Sequence, residues 1–271
     1  MSAIVAWTRQ HRLIAFFGLA LVLSWWSWPF YAVGIAPTPF FACGPLLAAL
    51  IVIGLTEGRA GYRDLFSRLT RWRVGWTWWV VALATPLLVL AVAAAANVTF
   101  WDAPAPDLAS MVWADIGLLF ALRFVNPLDG PLGEEPGLRG YALPQLQQRW
   151  SPLRSGYTLG AFAALWHLPI IVVGDLPPIA LVVTFAITLV YVWLFNHTGG
   201  SVLMVLVFHV TQGTISYADL GFTGADADRM DWLTGALWCV IAIGVVALDR
   251  RAWRTAPSSA IPSVSAQRVS V

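Results

Sequence analysis

Long runs of apolar residues, broken at intervals by arginine or aspartate clusters, set the pattern of this chain. Crossing a hydrocarbon core takes about 20 apolar residues per helix, and such runs can be laid at 13–34, 40–55, 78–98, 112–132, 156–173, 179–195, 200–217 and 232–248. The second is short, and the fourth carries Asp115, Arg123, Asn126 and Asp129, so the pattern predicts a bundle of six to eight helices. With 59% hydrophobic residues, 11% charged ones and a mean hydropathy of +0.72, little is left over for a water-soluble domain. The expected class is an all-α polytopic transmembrane bundle of about eight helices spanning residues 1–254. A disordered, Ser- and Pro-rich tail is expected at 255–271.

Charge then orients the bundle, because arginine-rich segments stay in the cytoplasm while acidic loops carry little signal. Arg9 and Arg12 precede the first run. Arg59, Arg63, Arg68, Arg71 and Arg73 separate the second from the third, Arg139, Arg149 and Arg154 the fourth from the fifth, and Arg250, Arg251 and Arg254 follow the last. The alternate connections hold only one basic residue, Arg229. An even number of spans with both termini cytoplasmic fits, in a cell membrane. Residues 58–76 space Tyr62, Leu65, Leu69 and Trp72 at helical intervals between arginines, the pattern of a helix lying in the headgroup layer. The apolar segment after Arg12 is read as a retained first helix. No nucleic-acid motif or phosphate loop stands out.

Chemistry concentrates in a few polar residues at membrane depth, where each costs at least a few kcal/mol unless paired or solvated. In GEEPGLRGYALP, residues 133–144, a helix would put Glu135 and Arg139 on one face as an ion pair, and leave Glu134, rotated about 100° away, free to face a cavity. Pro136 suits a helix start. His167 and His209 each fall in an apolar run, on the cytoplasmic half with Glu134, so a converging Glu, His, His cluster is expected; His197, in NHTGG, reads as interfacial. Such a cluster suits hydrolysis, with a glutamate taking a proton from water and a histidine donating to the oxyanion. The same side chains could instead hold a divalent metal such as zinc. Cys43 and Cys239 both lie in apolar runs, which leaves no thiolate metal site and no disulfide framework.

The ordered set of EExxxR at 134–139, His-Leu-Pro at 167–169 and His209 after a TGGS turn resembles the CPBP family of intramembrane proteases, related to the type II CAAX prenyl endopeptidase and also called Abi. The resemblance covers about 112–220. It implies an eight-helix fold with a cavity open to the cytoplasmic side, and hydrolysis of a peptide bond in a peptide or lipid-modified protein at the bilayer. By it, Glu134 activates water with His167, His209 stabilises the oxyanion or ligates metal, and Glu135 with Arg139 supports them. If a metal is used, its ligands would be Glu134, His167 and His209.

Two positions depart from the family pattern. The aromatic expected four residues before His167 is replaced by Ala163, with Phe162 beside it, and the Asn or Asp expected four residues after His209 is replaced by Gly213. Gln212, Asn196 or Asn126 could stand in for the missing polar group. Loss of one oxyanion donor costs on the order of a hundredfold in rate. Two other classes fit the same residues: a weak or inactive member acting as a membrane scaffold or bacteriocin self-immunity protein, and a transporter using the polar groups as an ion path. Against the transporter, no inverted repeat or pair of broken helices is visible.

Overall fold

The computed structural model describes residues 3–255, and apart from Thr255 the expected tail lies outside them. Among the described residues the chain is all helix and turn. In order come α1 (Ala3–Gln10), α2 (Arg12–Trp25), α3 (Trp28–Ala32), α4 (Gly44–Thr56), α5 (Arg59–Leu69), α6 (Trp76–Trp101), α7 (Trp113–Arg123) and α8 (Pro131–Glu135). A π-helical segment, Pro136–Ala142, then leads into α9 (Leu143–Gln147), α10 (Pro152–Trp166), α11 (Leu168–Val172), α12 (Ala180–His197), α13 (Val202–Thr214) and α14 (Ala225–Leu248). Proline stands in the first turn of α4, α8, α10 and α11, where its missing N–H has no intrahelical partner to lose.

Four segments are long and apolar enough to cross a membrane: Arg12–Ala32, α6, α12 and α14. α4 and α13 are apolar but shorter. Side chains such as Leu88 and Val92 on α6, and Val240 and Ile243 on α14, stand exposed, as a lipid-facing surface requires. α12 is the inner post of the bundle, its residues from Ala186 to Val192 all buried. α2 and α10 are tied across the bundle: Trp25 Nε1 donates to the Trp166 carbonyl at 2.9 Å, and Trp166 Nε1 to Ser24 Oγ at 2.8 Å.

Two expected spans are broken. The run at 112–132 is helical only to Arg123, because Asn126, Pro127 and Gly130, the last at φ +85°, turn the chain before α8 starts. The run at 156–173 breaks at His167. Pro169 has no N–H to offer the preceding turn, and His167 Nδ1 donates to the Ala163 carbonyl at 2.7 Å. His167 therefore sits at a helix junction rather than inside a helix.

The arginine-rich connections do gather at one end. There Arg12 pairs with Glu57 at 2.9 Å, Gln145 reaches the same glutamate at 3.2 Å, and Ser201 Oγ donates to the Arg71 carbonyl at 2.7 Å. Arg71 in turn donates to the Gly199 carbonyl, in a turn that Gly199 and Gly200 allow by adopting positive φ. At the other end Asn97 donates to the Asp226 carbonyl and accepts from Arg229, joining α6 to α14. In the expected headgroup helix, α5 buries Leu65 and leaves Tyr62 exposed, while Trp72 lies beyond the helix and is exposed as well.

Candidate active site

The paired glutamates ride on an unusual helix. Gly133 and Gly137, one turn apart, leave no room for side chains: a Cβ at Gly133 would meet the Ala42 and Pro127 carbonyls, and one at Gly137 the backbone of Pro45. Two bare positions at i and i+4 let helix 131–147 lie backbone to backbone against the start of α4, as small residues do in membrane bundles. The π turn follows at once, a feature found often at functional sites. This packing presents both glutamates to α13. Glu134 stands in the first turn of this helix, and Gln145, near its other end, is at the arginine-rich end of the bundle.

Glu135 is fully buried and saturated on one oxygen. Its Oε1 accepts from Arg139 Nη1 at 3.1 Å and from His209 Nδ1 at 2.8 Å, while Oε2 is buried without a hydrogen bond. Arg139 also donates to Thr188 Oγ1 at 2.9 Å and lies 4.7 Å from the centre of the Tyr191 ring. Tyr191 donates to Gln212 Oε1 at 2.6 Å, and its ring is 5.5 Å from that of His209. Because a carboxylate only accepts, His209 Nδ1 carries the hydrogen, and Nε2 is the nitrogen left for other work.

Glu134 contrasts with its neighbour. It is 7% exposed, and among the described residues its carboxylate makes no hydrogen bond or ion pair. Glu134, Glu135 and His209 offer atoms that all lie within 4.8 Å of one another. The expected trio of Glu134, His167 and His209 does not gather in that way. The ring of His167 stacks on Phe40 at 6.0 Å, two residues before the Ala42 carbonyl that touches Gly133, and its Nε2 is uncommitted.

A zinc ion of the catalytic kind takes three protein ligands at about 2 Å each, and Glu134, Glu135 and His209 lie close enough together to be considered for it. Glu134, Glu135 Oε2 and His209 Nε2 are the uncommitted ligand atoms of the cluster among the described residues. Ligation through Glu135 Oε1 and His209 Nδ1 would replace the hydrogen bond between those two atoms. Glu134, Glu135 and His209 could therefore hold a metal ion between them.

Of the stand-ins for the missing polar group, Gln212 borders the cluster through Tyr191. Asn196 accepts from Gln147 at 3.0 Å, and Asn126 caps an exposed turn by accepting from Leu128 N–H at 3.1 Å; neither bonds to the cluster. His197 pairs with Asp249 at 2.6 Å at the arginine-rich end and stacks on Trp78, in keeping with an interfacial role. A cavity of about 230 Å³ with a mixed lining reaches Gln212 from the opposite end, with Val89, Val183 and Trp238 beside Tyr217 and Asp231. The expected cavity was placed at the arginine-rich end. Leu138, Ala142 and Leu143 fill the interior beside the π turn on that side.

Sequence reasoning missed Thr188, Tyr191 and the two packing glycines. A GxxxG spacing was present at 133–137 as a signal for the last; nothing local marks the others. Arg123 counted only against a helix, yet its guanidinium lies on Gly213. Among curated proteins none matches the chain. Residues 116–215, which hold Arg123, the paired glutamates and both intramembrane histidines, match the sequence model of a family described as Type II CAAX prenyl endopeptidase Rce1-like. That match is to the same family that the motifs resemble.

Proposed function

We propose that the protein is an intramembrane endopeptidase that hydrolyses a peptide bond with water activated by Glu134. One observation carries the reading: a buried carboxylate with no partner of its own among the described residues, beside a histidine whose orientation a second carboxylate fixes. The family match gives the broader frame of a CAAX-type intramembrane protease acting on a protein substrate.

Glu134 takes a proton from water as the water oxygen attacks the carbonyl carbon, and returns it to the leaving nitrogen as the C–N bond breaks. His167 shares that water through Nε2. His209, held by Glu135, presents Nε2 to the reacting carbonyl and in its protonated form donates to the oxyanion. Arg139 keeps the buried Glu135 charged and in place, because removing one partner of a buried pair leaves the other uncompensated. Exclusion of bulk water strengthens each of these interactions.

The test is cleavage of a peptide library, with and without lipid-modified members, by the detergent-purified protein and its Glu134→Gln variant, each with and without a chelator. Wild-type cleavage that Glu134→Gln loses and the chelator leaves intact is the expected result. Cleavage abolished by the chelator and restored by zinc would replace the Glu134-activated water with metal chemistry. Gly213 favours a second reading, a member acting as a membrane scaffold; cellular function surviving in Glu134→Gln with no cleavage by either protein would establish it.

A further inference from the structure

α7 ends in a charge that an apolar segment holds at a cost. The side chain of Arg123 is only 14% exposed. Its Nη1 donates to the Gly213 carbonyl, and its Nε lies 3.0 Å from Asp129 Oδ2. Nη2 has no hydrogen-bond partner among the described residues, and Nε is off the hydrogen-bonding direction to Asp129. Donors are therefore left over on a group that is nearly out of solvent.

Their location ties them to the site. A Cβ on Gly213 would stand 2.5 Å from Nη1 and 3.0 Å from both Cζ and Nη2, so the guanidinium fills the space in which a side chain at 213 would start. Gly213 is one turn beyond His209 on α13, and helical side chains lean toward the N-terminus, so that space lies over the turn bearing His209. On the other side Asp129 precedes Gly130, where a Cβ would be 3.2 Å from Glu134 Oε1. The Arg123–Asp129 pair thus spans from the Glu134 approach to the His209 helix. Arg139, the other cation of the cluster, is already committed to Glu135, Thr188 and the Tyr191 ring.

We propose that Arg123 is a catalytic residue that supplies the oxyanion donor missing at position 213, and that Gly213 is the opening that admits it. This rests on the peptidase reading above. As water attacks and the carbonyl π pair moves onto oxygen, the guanidinium N–H groups bond to that oxyanion without giving up a proton. The oxyanion collapses as the C–N bond breaks and Glu134 delivers its proton to nitrogen.

The experiment uses an internally quenched library peptide whose cleavage depends on Glu134, and reads kcat and KM for Arg123→Ala, Arg123→Lys, Gly213→Asn and Arg123→Ala with Gly213→Asn. Arg123→Ala should lower kcat by about 10²- to 10³-fold with KM little changed. Arg123→Lys should recover part of the loss. Gly213→Asn alone should lose activity by pushing the guanidinium out, whereas the double variant should regain about tenfold over Arg123→Ala, because the amide then occupies the vacated space. Arg123→Ala with kcat within about threefold of wild type would overturn the proposal. So would equal kcat losses in the single and double variants with matched falls in thermal midpoint, the signature of a loop anchor. If no peptide shows Glu134-dependent cleavage, the peptidase reading falls and takes this proposal with it, an outcome already read in the Glu134→Gln arm.

Discussion

Two histidine–carboxylate pairs with similar distances sit in different places in this molecule. His197 and Asp249 lie 2.6 Å apart at the arginine-rich end, with each side chain about a third exposed. His209 and Glu135 lie 2.8 Å apart inside the bundle, with Glu135 fully buried. The outer pair is self-contained: Trp193 donates to the same Asp249 oxygen at 3.0 Å, and the imidazole stacks on Trp78. The inner pair is held by Arg139 and stands beside a second carboxylate that has no partner. A histidine–carboxylate contact is thus a poor mark of a site. What separates the two is burial, together with the uncommitted Glu134.

Exchanging Glu134 for Gln should break that difference most completely, lowering Glu134-dependent cleavage by about 10²- to 10⁴-fold, while His197→Ala leaves it unchanged. Similar losses in both would mean that the two pairs are alike in function. Next in size is stability. Arg139→Met strands Glu135 without its cation and should cost about 3–5 kcal/mol in detergent unfolding, against under about 1 kcal/mol for His197→Ala; equal costs would show that burial is not what sets the pairs apart.

Packing beneath the inner pair gives a smaller effect. Gly137→Ala drives a methyl into the Pro45 backbone and should destabilise by about 1–3 kcal/mol. Gly244→Ala, in α14 with open space around it, should be neutral or stabilising by about 0.5–1 kcal/mol. If Gly137→Ala were as silent as Gly244→Ala, the close approach to α4 would not be what positions the glutamates.

Smallest is the pH response of the outer pair. The hydrogen bond from Trp193 is the main cause that holds the Asp249 carboxyl below its usual 3.8; desolvation opposes it, and the hydrogen bond to His197 adds to the lowering. A depressed folded value stabilises above pH 3.8, and that contribution disappears as pH falls through the lower folded value. Solvent screening keeps it under about 1 kcal/mol. Asp249→Asn should therefore differ slightly from wild type in unfolding at pH 7 and converge with it in acid; a gap that widened in acid would contradict the assignment.

Composition and the spacing of apolar runs determined a helical membrane bundle and the grouping of its arginine-rich connections, because the bilayer demands long apolar helices and arginine resists crossing it. Spacing along one helix was enough to pair Glu135 with Arg139, since residues four apart share a face whatever lies around them. The tertiary structure decided the rest. That Glu135 also binds His209, that Thr188 and Tyr191 close around Arg139, and that Glu134 is left without a partner all depend on which helices meet. The breaks at Asn126–Gly130 and His167 were written in prolines and a glycine that an apolar average conceals. The approach of Arg123 to Gly213, 90 residues later in the chain, was beyond any local signal. Local periodicity fixes the direction of a side chain relative to its own helix, whereas long-range packing alone chooses what stands opposite it.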